Sequence, residues 1–236
     1  GDAGRLGITS QEAVGEFVDA ADKINVALDD DLGDDAVKNI GKLAQMFGDD
    51  KSKGLRGAML ATGSVVNELA QSSSASAGYL VDFTARLAGV GKQAGLTQQQ
   101  IMGFASVLDQ NMQQDETAAT AMQNLIAKIF QEPAKFAALA GKSVKEFTTL
   151  LKTDANEALL QFFGAMKKHG GFDSLAPMFD QMGMDGSRCV SVFSVMADKL
   201  ADIKTAQDIA NDAYAKGTSV IDEFNTQMTS AQAQLD

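Results

Sequence analysis

The chain has 236 residues, 31 of them acidic and 20 basic, with two prolines, one cysteine, one histidine and no tryptophan. One cysteine cannot close an internal disulfide, one histidine cannot supply the imidazoles of a His-based zinc hydrolase, and a net charge of −11 works against direct nucleic-acid binding, which needs clustered Lys and Arg to neutralise phosphate. What remains is the composition of an acidic all-α protein: 45% hydrophobic residues, proline far below the usual share of about 5%, and few runs of β-branched residues.

The chain starts Gly1-Asp2-Ala3 and ends at Leu235-Asp236 within a helical pattern, which predicts a piece of a longer protein. Gly7-Ile8-Thr9 followed by Glu12 predicts a helix start, with the hydroxyl capping the first turn and the Glu reaching back. Val14, Phe17, Val18, Ala21 and Leu28 then share one helix face. The acidic run at 29–35 is a linker. Asp29, Asp31, Gly33 and Asp35 echo a calcium loop, but the glycine falls one position early and Ile40 stands where the bidentate Glu is required. A solvated acidic turn with Asp at a helix N-terminus is the better account, because the helix dipole favours acids there.

A serine-rich linker at 72–76 precedes the stripe Leu80, Phe83, Leu87 and Val90. Gly89-Val90-Gly91 follows a helix, without the strand a dinucleotide fingerprint requires. Gly95-Leu96-Thr97 with Gln100 repeats the capping grammar and opens the stripe Ile101, Phe104, Ala105, Leu108 and Met112. The uncharged stretch 93–108 is too short and too polar to span a bilayer. Ala118, Met122, Leu125 and Ile129 form the next face, and Ile126 and Phe130 widen it, which predicts a central helix. The methionines, among them Met102, Met112 and Met122, read as core filling in preference to an adaptable binding surface.

Pro133 divides the chain into an N-terminal helical sub-bundle, 1–132, and a C-terminal one, 133–236, unless the two are one continuous domain. Gly141-Lys142-Ser143 with Glu146, and Asp154 with Glu157, are further helix starts, and Leu159, Phe162, Phe163 and Met166 form a fifth stripe. His169 follows two lysines and precedes glycine, the placement a helix C-terminus favours. Pro177 reads as lying near the first turn of a helix. Cys189 shares a face with Val192, Phe193 and Met196 and reads as a buried small hydrophobe, not a nucleophile.

From Cys189 to Leu235 the apolar and small residues keep a three-or-four spacing, a coiled-coil-like seam. The pattern favours a long C-terminal helix, although Gly217-Thr218-Ser219 could equally stop one helix and cap another. Ile221, Phe224, Met228 and Leu235 are the candidate self-association residues, giving a homo-oligomer through the C-terminal helix. The fold expected is a multi-helix bundle of roughly ten or more helices. No catalytic set, metal site or cofactor site converges, so the readings left are a structural protein and a helical protein-binding module of the chaperone or adaptor kind.

The order of several segments resembles the core region of phage tail tape measure proteins. These are Leu6-Gly7-Ile8-Thr9-Ser10-Gln11-Glu12, Ile40-Gly41-Lys42-Leu43-Ala44-Gln45-Met46-Phe47-Gly48, Val65-Val66-Asn67-Glu68-Leu69-Ala70, Phe83-Thr84-Ala85-Arg86-Leu87-Ala88-Gly89, Ala94-Gly95-Leu96-Thr97 and Ala118-Ala119-Thr120-Ala121-Met122-Gln123-Asn124-Leu125. Asn211-Asp212-Ala213-Tyr214 and the segment 217–224 also suit that family. The resemblance implies a component of the virion tail, assembled in the bacterial cytoplasm, that sets tail length, occupies the tube and leaves ahead of the DNA. It also implies tail tube and tail assembly chaperone proteins as partners, and it brings no catalytic residues. One continuous helix of this length would span about 350 Å, whereas a compact fold would have a radius of gyration of about 18 Å. Glycines and caps at frequent intervals predict the compact form.

Overall fold

The computed structural model describes residues 1–28, 32, 35–170, 172–181, 183–184 and 186–236, apart from the side chains at 172, 173, 186 and 187. Asp29, Asp31 and Gly33, on which the calcium-loop comparison turned, lie outside the described residues. Among the described residues there are fourteen helices and no strand. The first four are α1 (Asp2–Arg5), α2 (Gln11–Leu28), α3 (Ala36–Met46) and α4 (Asp49–Ser72). Then come α5 (Ala77–Ala94), α6 (Gln98–Gln110), α7 (Asp115–Gln131), α8 (Pro133–Leu139), α9 (Val144–Thr153) and α10 (Ala155–Lys168). The series ends with α11 (Phe172–Gln181), α12 (Gly186–Asp198), α13 (Leu200–Lys216) and α14 (Ser219–Leu235).

Local chemistry sets most of the boundaries. Thr97 and Gln100 form the full capping box, with Gln100 N donating to Thr97 Oγ1 and Thr97 N donating to Gln100 Oε1. Ser143 caps α9 by accepting from Glu146 N at 3.1 Å, and Asp154 caps α10 by accepting from Glu157 N at 3.0 Å. The first cap differs from the one the sequence suggests. Ser10, not Thr9, accepts from the helix, taking Ala13 N at 3.1 Å, because α2 begins one residue later than the Thr-x-x-Glu spacing implies. Ser76 closes the serine-rich turn by capping α5 through Tyr79 N. Pro133 occupies the first turn of α8, where its missing N–H costs nothing, whereas Pro177 lies inside α11 and not at its first turn.

The central helices are α4 and α6, not the α7 that the widened stripe predicts. Every residue of α4 from Met59 to Asn67 is buried, as are Gln98 and 101–108 of α6, while Phe130 of α7 is 43% exposed. The reason is side-chain size. Ala58, Ala61, Gly63 and Ser64 on α4, and Gly103, Ala105 and Ser106 on α6, let neighbours approach on several sides at once. On α2 the buried face is Phe17, Ala20, Ile24, Ala27 and Leu28, which leaves Val18 exposed.

One cluster of buried apolar side chains runs from Ala3 to Val220 and crosses Pro133. After Pro133 it includes a series of touching phenylalanines. Phe136 meets Phe162 edge-on at 5.4 Å between centroids, Phe163 lies beside both Phe162 and Phe193, and Phe193 meets Phe179 at 5.0 Å. This series ties α8, α10, α12 and α11 together. α13 then returns to lie on α6 and α4, and α14 lies on α2 and α4. The seam read as running from Cys189 to Leu235 is therefore divided among three helices. Gly217, at φ +64, ends α13 in the left-handed conformation that glycine adopts without strain, and α14 is a separate helix of 17 residues.

Candidate functional site

The candidate self-association residues all lie on α14, and the structure separates them into two pairs. Ile221 packs against the core, and Phe224 is half-buried. Met228 is 51% and Leu235 83% exposed, so neither is covered within the chain. Val220 is the one α14 residue among those described that is fully buried, and it sits in a slot made by a glycine. A Cβ on Gly63 would stand 3.1 Å from both Val220 and Ile24.

Polar groups complete the attachment of α14. Ser219 Oγ donates to Glu68 Oε1 and accepts from Asn67 Nδ2, both at 2.7 Å, and Val220 N donates to Ser64 Oγ at 3.3 Å. Gln71 Nε2 reaches Glu223 Oε2 at 3.3 Å. The four α4 donors and acceptors at 64, 67, 68 and 71 follow helical spacing, so one edge of α4 holds the first turns of α14. Thr218 supplies no side-chain cap, which leaves this edge as the anchor of the helix start.

A second polar constellation lies deeper. Asn156 of α10 and Gln207 of α13 form a reciprocal amide pair, at 2.8 and 2.9 Å, and Gln207 Nε2 also donates to Gln100 O at 3.0 Å. Both side chains are buried, so each would carry a desolvation cost without the other. Thr62 donates to Gln98 Oε1 at 2.9 Å, and Gln98 Nε2 donates to Asp49 Oδ2 at 2.9 Å. Both sets act as positioning for helices. Asn156, Gln207, Thr62 and Gln98 are all buried.

The strongest electrostatic perturbation is at the α5/α7 contact. Arg86 Nε lies 2.8 Å from Asp82 Oδ2 and 4.0 Å from Asp115 Oδ1, and Asp115 Oδ1 is buried with no hydrogen-bond donor. Burial first, and then hydrogen bonding with Asp82, push the Asp115 carboxyl up to about 8. The hydrogen bond from Asp115 and the neighbouring Arg86 hold Asp82 below the usual range despite its partial burial. The two carboxyls are therefore coupled, with Asp115 the one shifted up and Asp82 the one shifted down.

Cys189 is buried, as are Val190, Val192, Phe193 and Met196 of the same helix. His169 is the exposed C-cap residue of α10, directly before Gly170 at φ +106. Met59, Met102, Met122, Met166, Met184 and Met196 are buried in the core, so the methionines do not gather into one binding face. Among the described residues no group of three His, Cys, Asp or Glu is placed to hold a metal, and no helix is long and apolar enough to cross a membrane.

The phage-related minor tail protein family matches residues 1–174. The chain belongs to that family. The match takes in α1 to α10, and with them the central helices α4 and α6 and the α14-binding edge of α4. It agrees with the tape measure resemblance carried by the N-terminal segments. No curated protein and no solved structure matches this chain. The tail protein's helix-start grammar and apolar stripes were legible in its sequence. The edge of α4 and the Asn156/Gln207 pair were not, because each joins residues more than fifty positions apart with no periodic signal.

Proposed function

We propose that this tail protein is the core region of a tape measure protein, placed in the virion tail after assembly in the bacterial cytoplasm, and that this segment works as a compact assembly module. The observation that carries the reading is the family match over residues 1–174, within a chain whose buried apolar side chains form one cluster in place of an extended helix. A module of this size, with a diameter near 45 Å, cannot contribute length at 1.5 Å per residue while it stays folded. In this reading the measuring is done elsewhere in the full protein. The segment instead presents surfaces to the tail tube and to tail assembly chaperones, and the uncovered Met228 and Leu235 of α14 form its self-association contact. Its net charge of −11 suits a lumen occupant that must not retain DNA. The role is structural and invokes no cofactor.

Mass spectrometry and immunogold labelling of purified virions test this. Peptides of this chain in the tail fraction, at a copy number well below that of the tube subunit, are the expected result. Recovery only from the host cytoplasm, bound to a partner that is not a tail component, would replace the reading with that of a helical adaptor.

A further inference from the structure

The turn between α6 and α7 carries an arrangement the sequence conceals. Gln113 N donates to Leu108 O, and Met112 N donates to Asp109 O, both at 3.0 Å, the paired bonds of a Schellman helix stop. The residue at the left-handed position of this stop is Met112, at φ +62. Every other positive-φ residue described is glycine, at 7, 48, 54, 95, 141, 170, 183 and 217. The exception also projects its apolar side chain into solvent, 91% exposed. The turn beneath it is fixed: Tyr79 donates to Gln113 O at 2.8 Å, Ser191 to Gln113 Oε1 at 3.2 Å, and Asn111 Nδ2 to Val107 O at 2.7 Å. A disfavoured backbone conformation that is held rigidly and displays a flexible apolar side chain is the form of an anchor residue.

The same chain offers a recess of matching chemistry. Residues 128–168 carry seven lysines against four acidic residues, a basic stretch in an otherwise acidic protein. Between α9 and α10 lies a shallow groove of about 420 Å³ walled by Leu150, Thr149, Thr153, Gln161, Lys142 and Lys145, with Glu146 as its one acidic residue. Met112 is flanked by Asp109 and by the exposed Glu116, while nearby Arg86 is engaged by Asp82. Met112 precedes the N-terminus of α7, and α8 and α9 follow its C-terminus. Met112 is left in solvent by its own molecule and does not fill that molecule's groove.

We propose that Met112 of one molecule seats in the α9/α10 groove of a second copy of this chain, with Asp109 and Glu116 facing Lys142 and Lys145. The two patches differ, so the contact is heterologous and adds copies in one direction. It does not depend on the tape measure reading, nor on α14.

Sedimentation equilibrium on the chain tests it, with all proteins carrying Met228→Lys and Leu235→Lys so that the exposed end of α14 is silent. The parent protein is expected to show concentration-dependent growth beyond a dimer. Met112→Gly, and separately Lys142→Glu with Lys145→Glu, should each weaken association at least about tenfold. A mixture of the two should restore association but stop at a one-to-one dimer, since only one knob and one groove remain. Glycine is the preferred residue at this backbone position, so a Met112→Gly melting temperature at or above the parent's shows that lost association is not lost folding. A parent protein that stays monomeric to millimolar concentration, or either variant associating like the parent, overturns the proposal.

Discussion

Gly103 of α6 lies against the backbone of Gln207 on α13: a Cβ at 103 would stand 3.2 Å from the Gln207 amide nitrogen and 3.3 Å from its Cα. Backbone cannot rotate aside as a side chain can, so the close approach of these helices depends on the missing methyl group. Gly103→Ala is expected to destabilise the protein by about 1–3 kcal/mol despite the better helix propensity of alanine. Urea unfolding followed by circular dichroism reads this directly, and an unchanged or raised midpoint would show that α13 is not held at this distance.

Gln207 also carries the buried amide pair. Replacing Asn156 with Ala leaves the Gln207 amide buried with only Gln100 O as a partner, an expected loss of about 1–3 kcal/mol. Because the two amides satisfy each other, the double change Asn156→Leu with Gln207→Leu should cost less than the sum of the single changes. A double-mutant cycle measured by chemical denaturation gives the coupling, and additivity would deny the pair.

The Asp82 and Asp115 contact sets a pH dependence. Asp115, pushed up to about 8, keeps its proton in the fold where the unfolded chain loses it near pH 4, so its contribution is full below pH 4 and declines as pH rises towards 8. Asp82 is shifted the other way, and its contribution grows above its lowered folded value. Asp115→Asn keeps a donor to Asp82 without the titration. It should be more stable than the parent at pH 8 by about 1–2 kcal/mol and should flatten the stability profile between pH 4 and 8. Melting curves across this range decide it, and a variant that tracks the parent at every pH would deny the raised titration of Asp115.

Much of this fold was legible because its signals are local. Thr97 with Gln100, Ser143 with Glu146 and Asp154 with Glu157 cap helices within four residues, and the stripes on α5, α7 and α10 reflect one helix meeting one core. The central helix α4 was hidden because Thr62, Ser64 and Asn67, all buried, read as polar residues in a sequence. They are buried because partners on α6 and α14 satisfy them. The C-terminal seam was over-read because periodic spacing continues through Gly217, where backbone conformation, not side-chain pattern, ends the helix. Met112 fitted the apolar stripe of α6 by spacing, yet it lies beyond the last turn, where the period no longer says which way a side chain faces.

The slot under α14 gives a fourth expectation. Gly63→Val would place a branched side chain where a Cβ already stands 3.1 Å from Val220 and Ile24. It should release α14 from α4 with a loss of about 1–3 kcal/mol. Hydrogen exchange should show faster exchange over α14 than in the parent while α6 stays protected. Equal exchange in α14 and α6 would mean that the helix opens only with the whole bundle.

Tail length in virions carrying an in-frame deletion of these 236 residues tests the central claim most directly. If the segment is a compact assembly module, electron microscopy should show capsids with absent or aberrant tails. Intact tails shortened by about 350 Å, the span of the same residues as one helix, would contradict the compact module, and intact tails of normal length would contradict a role in tail assembly.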